Sequence, residues 1–469
     1  MTKINVLVVD DDKDMADLIA TIFQRHGFNA EAVGSGKEAF ECLSRKVPDL
    51  IILDLLMPDM DGYEVCKRLR SNRATSRIPV IILTADDSQR GKIRAFDTGI
   101  DDYVAKPFNV EELVARARSH LRRSQHLKWA EKKQRKPRIK SVRNILVTGG
   151  AGFIGSHLVR ALLKAKYNVH IVDDFSTGRM ENISDLVKNK SVRLITGSIT
   201  DEVILSKAIE QADMVYHLAA TVGVKNVVDN ALDTIVYDTL GTLLVLKYAS
   251  SRGIKVLLTS TSEAYGKTKQ IPFREDTDIT IGSPYIHRWS YACSKLLDEF
   301  LSIAYYRERN LPVVVVRLFN VVGPGQVGHY GMVLPRFFKS AYLNEPIHIF
   351  GTGKQSRCFT YIDDAVRLLM RLAQSEKACG HIVNLGSDQE ISILDLAKKV
   401  KKITGSSSKL IIKKYDEYYG KNFQDIKRRV PDTTKLKKIT GEVPRIGLDE
   451  ILKRMKRFFD EHPEELKRI

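Results

Sequence analysis

Short apolar runs alternate with amphipathic stretches along nearly the whole chain, and the alternation starts twice. From residue 4 the runs INVLVVD, Asn29–Val33, LIILDLL, VIILTA and YVAKP have strand character. Between them, helical periodicity is predicted over Met15–His26, on to about Ser44, near Tyr63–Asn72, over about Arg90–Thr98 and from Val110. Strands and helices in strict alternation predict a doubly wound parallel sheet over 1–122, because parallel neighbours need a helical crossover. The second start is Val142–Gly178, VRNILVTGGAGFIGSHLVRALLKAKYNVHIVDDFSTG. It predicts a strand over Asn144–Thr148, a glycine turn, a helix from about Ile154 to Lys166 and a strand ending at Asp173. The alternation then continues through VRLITGSIT, a helix near Glu202–Ala212, MVYHLAA, a helix near Asp233–Ser251, KVLLTSTSEAYG and VVVVRLFNVVGP.

In open parallel sheets, sites lie at the carboxyl ends of the strands. The first block places Asp10 and Asp11, Asp54, Thr84 and Lys106 there. Clustered carboxylates repel unless a cation offsets them, so Asp10, Asp11 and Asp54 are candidate Mg2+ ligands. Asp54 is then a candidate nucleophile toward phosphorus, with Thr84 on the phosphoryl oxygens and Lys106 balancing charge. VVDD at 8–11, LDLLMPDMDG at 53–62, LTA at 83–85 and KPF at 106–108 resemble the response-regulator receiver domain. The resemblance implies a flavodoxin-like (βα)5 fold, phosphorylation of Asp54 by a histidine kinase, and Tyr103 as the aromatic that swings with Thr84.

The second block opens with a dinucleotide fingerprint. Glycines at 149, 152 and 155 let the backbone approach a pyrophosphate, the helix N-terminus supplies free N–H groups, and a carboxylate about twenty residues on accepts ribose hydroxyls. TGGAGFIG at 148–155, TSTSEAYG at 259–266 and YACSK at 291–295 together resemble the extended short-chain dehydrogenases that epimerise, dehydrate or decarboxylate nucleotide sugars. The resemblance runs over 143–469. It implies a Rossmann-type sheet and a smaller C-terminal α/β substrate lobe, mainly from residue 320 onward. It assigns NAD to Gly149, Gly152, Phe153, Ile154, Gly155, Asp173 and the backbone of Leu218, Ala219 and Ala220. Asp173 would repel a 2′-phosphate, which favours NAD over NADP. Where members often carry an Asp after a glycine to meet the adenine, this chain has Gly197-Ser198.

The chemistry asks for these residue types. Oxidising a sugar hydroxyl by hydride transfer requires a base, and a phenol with a pKa of about 10 is a poor one. A lysine one helical turn away lowers that value, which fits Tyr291 and Lys295 on one helix face. Thr261 would bond the reacting oxygen. The resemblance places Asn320 and Arg357 on the nucleotide diphosphate of a UDP-sugar, and Arg429 and Asp432 on ribose and phosphate.

The residues after Thr261 separate the reactions. Dehydratases carry an Asp-Glu pair there and 4-epimerases small or apolar residues, whereas this chain has Ser262-Glu263. Ser-Glu, RWSYACSKLLDEF and KQSRCFTYIDD resemble bacterial UDP-glucuronate decarboxylases, although the CYDEGKR motif of one branch is absent. A 4-ketone β to the C5 carboxylate makes loss of CO2 easy, with Ser262, Glu263 and Arg357 at that centre. The alternatives are a UDP-sugar 4-epimerase, a 4,6-dehydratase, and a non-catalytic sensor of NAD or a sugar nucleotide.

The net charge of +18 modifies this picture little. Its densest part is 123–142, where eight lysines and arginines face one acid. These residues are expected to form a basic linker, and no nucleic-acid partner is expected. Five scattered cysteines without ligand spacing argue against a zinc site or a disulfide frame. No run approaches a membrane span and the N-terminus enters a strand at once, so a cytoplasmic protein without a signal peptide is expected. The two resemblances together imply a homodimeric nucleotide-sugar enzyme controlled by a phosphorylatable switch.

Overall fold

The computed structural model describes residues 4–72, 75–76, 78–84, 100–132 (backbone only over 122–132), 142–221, 230–328, 332–415 and 424–469. The chain divides into two compact units, Met1–Arg138 and Ile139–Ile469.

In the first unit the strands are β1 (Asn5–Val9), β2 (Asn29–Val33), β3 (Leu50–Asp54), β4 (Val80–Thr84) and β5 (Asp102–Ala105). They form one parallel sheet in the order β2-β1-β3-β4-β5. Strands β3 and β4 are buried at every position, as expected of strands covered on both faces. Alternate residues feed two cores: Val8, Ile52 and Ile81 pack with Phe23 and Leu113 on one face, and Leu7, Leu53 and Ile82 with Leu43 and Leu69 on the other. The helices α1 (Lys13–Arg25), α2 (Gly36–Arg45) and α3 (Gly62–Ser71) start at side-chain caps from Asp12, Ser35 and Asp61. The helix expected over Arg90–Thr98 lies outside the described residues. Helix α4 (Val110–Lys132) runs through residue 122, where the sequence suggested that the domain ends. Its apolar residues Leu113, Ala117 and Leu121 are buried, and good helix formers beyond them carry the helix into the basic stretch.

The second unit is built on a seven-stranded parallel sheet, β16-β11-β10-β9-β6-β7-β8. Its strands are β6 (Asn144–Thr148), β7 (Asn168–Asp173), β8 (Val192–Thr196), β9 (Met214–His217), β10 (Lys255–Thr261), β11 (Val313–Leu318) and β16 (His381–Leu385). The crossover helices include α5 (Phe153–Lys164), α6 (Glu202–Glu210), α7 (Ala231–Arg252) and α8 (Arg288–Arg309). Beyond β11 a smaller lobe adds, among the described residues, three short sheets: β12 (Val321–Val322) with β15 (Thr360–Tyr361), β13 (Ile347–Phe350) with β18 (Leu410–Lys413), and β17-β14-β19, with β14 at Ser356–Cys358, β17 at Glu390–Ser392 and β19 at Arg428–Arg429. The parallel register of β14 and β19 sets Arg357 opposite Arg429. Like charges across a strand pair are unfavourable, so something must offset them. No helix among the described residues is long and apolar enough to cross a membrane.

Candidate active site

One cavity of about 420 Å³ receives the carboxyl ends of β6, β7, β9 and β10 and is closed by the smaller lobe. At one end lies the glycine turn. Gly149 has φ +70°, and a Cβ there would sit 2.7 Å from the Ala219 nitrogen. A Cβ on Gly155 would run into the Gly149 carbonyl. A chain with side chains at these positions could not close so tightly, so the turn forms a backbone-lined cradle. Gly152 caps α5 without a side-chain hydrogen bond, which leaves the N–H groups of Phe153, Ile154 and Gly155 for an anion. Asp173 ends β7 and is held by the backbone: Ala151 N–H donates at 2.8 Å and Phe175 N–H at 2.9 Å. Burial raises its pKa, and these two donors counter that. Leu218, Ala219 and Ala220 line the cavity beside the turn. The cradle and carboxylate fit a dinucleotide. Gly197 also lines the cavity, while the Ser198 hydroxyl is engaged locally with Thr200 at 2.8 Å.

Thr261 ends β10, and its hydroxyl accepts from Glu263 N–H at 3.2 Å, which starts the short helix Ser262–Tyr265. Thr261, Ser262, Glu263 and Tyr291 all line the cavity. Tyr291 and Lys295 lie one turn apart on α8, but the electrostatics differ from the sequence argument. Tyr291 is pushed well above the usual phenol value by burial and by the negative charges of Asp238, Glu263 and Asp298. Lys295 is fully buried, and its ammonium donates to Asp298 at 2.9 Å.

The same cavity holds a group of charges that the sequence motifs announce only in part. Glu263 meets Arg429 at 3.2 Å and Arg288 at 3.6 Å. Both carboxylate oxygens of Asp425 accept from Arg357 Nη2, at 2.9 and 2.8 Å, and Asp425 lies 3.3 Å from Arg288. The Tyr415 hydroxyl donates to Asp425 at 2.8 Å. Burial alone would raise Asp425, yet Arg357, Arg288 and Arg429 hold it down to about 2. Burial likewise opposes ionisation of Glu263, and Arg288 and Arg429 overcome it. Burial and the neighbouring Arg357 and Arg288 push Arg429 down to about 10. Three guanidiniums against two carboxylates leave a buried positive excess, which suits an anionic ligand. Glu263, Arg357 and Arg429 were legible in the sequence; Arg288, Tyr415 and Asp425 were not singled out.

Two further expected residues stand differently. Asn320 lines the cavity, with its amide donating to Cys358 O at 2.8 Å. Asp432 is not among the lining residues; its carboxylate accepts from Thr434 N–H at 2.8 Å.

The first unit has its own cluster. Ligand oxygens of Asp10, Asp11 and Asp54 lie within 4.8 Å of one another. Lys106 Nζ bridges Asp10 at 2.8 Å and Asp54 at 2.7 Å. Burial raises the Asp10 pKa, and Lys106 offsets part of that rise. Thr84 is buried at the end of β4, opposite Ala105 of β5, and Tyr103, partly exposed, lies two residues earlier on β5 opposite Ile82. The carboxylates fit a hard divalent cation, which would supply the positive charge needed to bring a phosphoryl group to Asp54.

The Response regulator receiver domain family matches residues 6–118, and the NAD dependent epimerase/dehydratase family matches 145–386. The chain is 40% identical over 317 residues to the UDP-N-acetyl-alpha-D-glucosaminuronate decarboxylase of Bacillus cytotoxicus, covering 67% of this chain and 97% of that protein. It is 35% identical to UDP-glucuronic acid decarboxylase 4 of Arabidopsis thaliana over 68% of this chain and 69% of the relative. Among solved structures it resembles the UDP-glucuronic acid 4-epimerase of Bacillus cereus in complex with UDP-glucuronic acid and NAD, at 31% identity and TM-score 0.61, covering 68% of this chain and 99% of the other. The chain therefore belongs to the NAD dependent epimerase/dehydratase family and carries a response regulator receiver domain at its N-terminus.

Proposed function

We propose that the chain is an NAD-dependent decarboxylase of a UDP-linked uronic acid, controlled by its receiver domain. The observation that carries the reading is the buried Glu263–Arg288–Arg429 contact directly after Thr261, in the cavity that holds Tyr291. Decarboxylases at 40% and 35% identity support it.

Gly149, Gly152 and the first turn of α5 hold the pyrophosphate of NAD, and Asp173 accepts its ribose hydroxyls. Leu218, Ala219 and Ala220 flank it. When bound, NAD takes up the C4 hydride of the sugar and later returns it. Thr261 orients the C4 hydroxyl and Tyr291 accepts its proton. The electron pair of the bond from C5 to the carboxyl carbon then moves onto the new ketone as CO2 departs. Ser262 and Glu263, with Arg288 nearby, manage the proton that C5 takes up, and Tyr291 returns its proton to the C4 oxygen. Arg357, Arg429 and Asn320 hold the diphosphate and ribose; Asp432 orders the segment beside them.

Residues 1–122 act as the receiver, 123–142 as a basic linker and 143–469 as the enzyme, in a cytoplasmic homodimer. A histidine kinase phosphorylates Asp54 with Mg2+ on Asp10, Asp11 and Asp54, and Thr84, Tyr103 and Lys106 relay the change. Dimerisation is supported by exposed apolar residues on adjacent helices: Leu232 and Val236 on α7, Phe300 on α8.

Incubation with UDP-glucuronate and UDP-N-acetylglucosaminuronate, following CO2 and product mass, tests the reading. Release of CO2 with a pentose product supports it. A product of unchanged mass favours the second reading, a 4-epimerase, which the likeness to the Bacillus cereus enzyme supports.

A further inference from the structure

The sequence predicts a lysine that acts on Tyr291, yet the only side-chain hydrogen bond of Lys295 among the described residues is to Asp298, at 2.9 Å. Both groups are buried, with side chains 2% and 0% exposed. A second carboxylate, Asp238, reaches the same place from α7, the helix packed against α8. It is buried, accepts from Thr221 N–H at 2.8 Å and lies 3.4 Å from the Ser294 hydroxyl. Neither acid takes part in the chemistry proposed above.

We propose that Asp298, seconded by Asp238, is a positioning residue that claims the Lys295 ammonium and thereby keeps the Tyr291 phenol protonated until the site is filled. This rests on the assignment of Tyr291 as the base, and applies equally to each reaction that begins by oxidising C4. The charged and titratable groups around Lys295 come from every neighbouring element. On α8 they are Asp298 and Glu299, with Arg288 two turns back; from α7 comes Asp238 and from β9 His217, while Glu263, in the turn after β10, acts on Tyr291. Glu299 is committed elsewhere, paired with Arg317 at 2.6 Å and accepting from Ser260 at 2.5 Å. Glu263 is held by Arg288 and Arg429. His217 is buried between Thr148 at 2.7 Å and Thr242 at 3.1 Å, and burial together with the Lys295 charge brings it down to about 3, so it is neutral. Asp298 and Asp238 are thus the acids left to govern Lys295. Burial lifts Asp238 to about 6, with Lys295 pulling against it. Taking negative charge from beside the phenol, and freeing the ammonium, both favour the phenolate.

The test needs no substrate. Tyrosinate absorbance is titrated in the cofactor-free protein and in its Tyr291→Phe counterpart, and the difference isolates Tyr291 from the other sixteen of the 17 tyrosines. The same pair of titrations is made in Asp298→Asn and Asp238→Asn backgrounds. Asp298→Asn should bring the Tyr291 ionisation to lower pH by on the order of one unit. Asp238→Asn, which keeps the Lys295–Asp298 pair, should move it the same way by less, and Asp298→Glu should restore the wild-type curve. The alkaline-rising limb of turnover should move with it. Ionisation of Tyr291 at the wild-type pH in every folded variant would overturn the proposal. If a melting curve shows Asp298→Asn unfolded, Asp238→Asn decides. Absence of any turnover of UDP-sugars by the wild-type protein would instead count against the decarboxylase reading and leave the titration to stand.

Discussion

At the residue scale the site is a balance of buried charges. Arg357 and Arg429 face each other across β14 and β19, Arg288 joins them from α8, and Glu263 and Asp425 offset them. Replacing Tyr291 by Phe should cost ~10²–10⁴ in turnover, the range of a general acid–base group, with an unchanged melting temperature; rates and melts on the same preparation check this. Asp425 gives a pH-dependent stability. Its folded pKa of about 2 is below the unfolded carboxylate value of about 3.9. Its contribution is therefore full above about pH 4 and disappears as pH falls through about 2. The stability gap between wild type and Asp425→Asn should be about 2 kcal/mol at neutral pH and shrink across that window, as denaturant melts at stepped pH would record. The glycines, Asp173, Thr261, Glu263, Tyr291 and Lys295 were legible because their signals lie within single motifs. Arg288, Asp425 and Asp238 were not, because what defines them is a neighbour far along the chain: Asp425 is 68 residues from Arg357 and Asp238 is 56 from Ser294; Asp298 stands only three residues from Lys295, but the burial of that pair is set by the fold.

At the element scale, alternating strands and helices predicted both sheets, and Asn29–Val33 and Asn144–Thr148 appear with the predicted bounds. Helix ends moved by a few residues where caps decide them, as at Lys13, where the Asp12 carboxylate accepts from Asp14 and Met15 N–H. Helix α4 continues to Lys132 although its apolar spacing fades, so a basic run need not be coil. Helices α7 and α8 carry apolar side chains outward, with Leu232 74% and Phe300 68% exposed. If these faces meet in a homodimer, Phe300→Glu should shift the protein to monomer, raising the dimer dissociation constant at least tenfold in sedimentation equilibrium. A charge buried at such an interface is costly. Wild-type monomer at micromolar concentration would refute the dimer.

At the scale of the whole molecule, a receiver domain and an NAD dependent epimerase/dehydratase domain share one chain. If the first controls the second, an acyl-phosphate mimic should change turnover of the wild-type protein several-fold and leave Asp54→Ala unaffected. Equal rates and equal oligomeric states in both would exclude control. Receiver loading should also weaken toward acid pH, because the raised pKa of Asp10 lets protons compete with Mg2+; cation titrations at two pH values would detect it. The sequence by itself determined two α/β blocks, the order of their strands along the chain, the dinucleotide turn and the tyrosine–lysine pair, since each is a property of local spacing. Only the tertiary structure decided which charges meet. Burial and distance set the protonation of Tyr291, the pairing of Lys295 with Asp298 and the arginine excess around Glu263, and neither quantity is written in a linear spacing. The motif residues of the candidate site were visible in the chain; the charges packed around them became visible on folding.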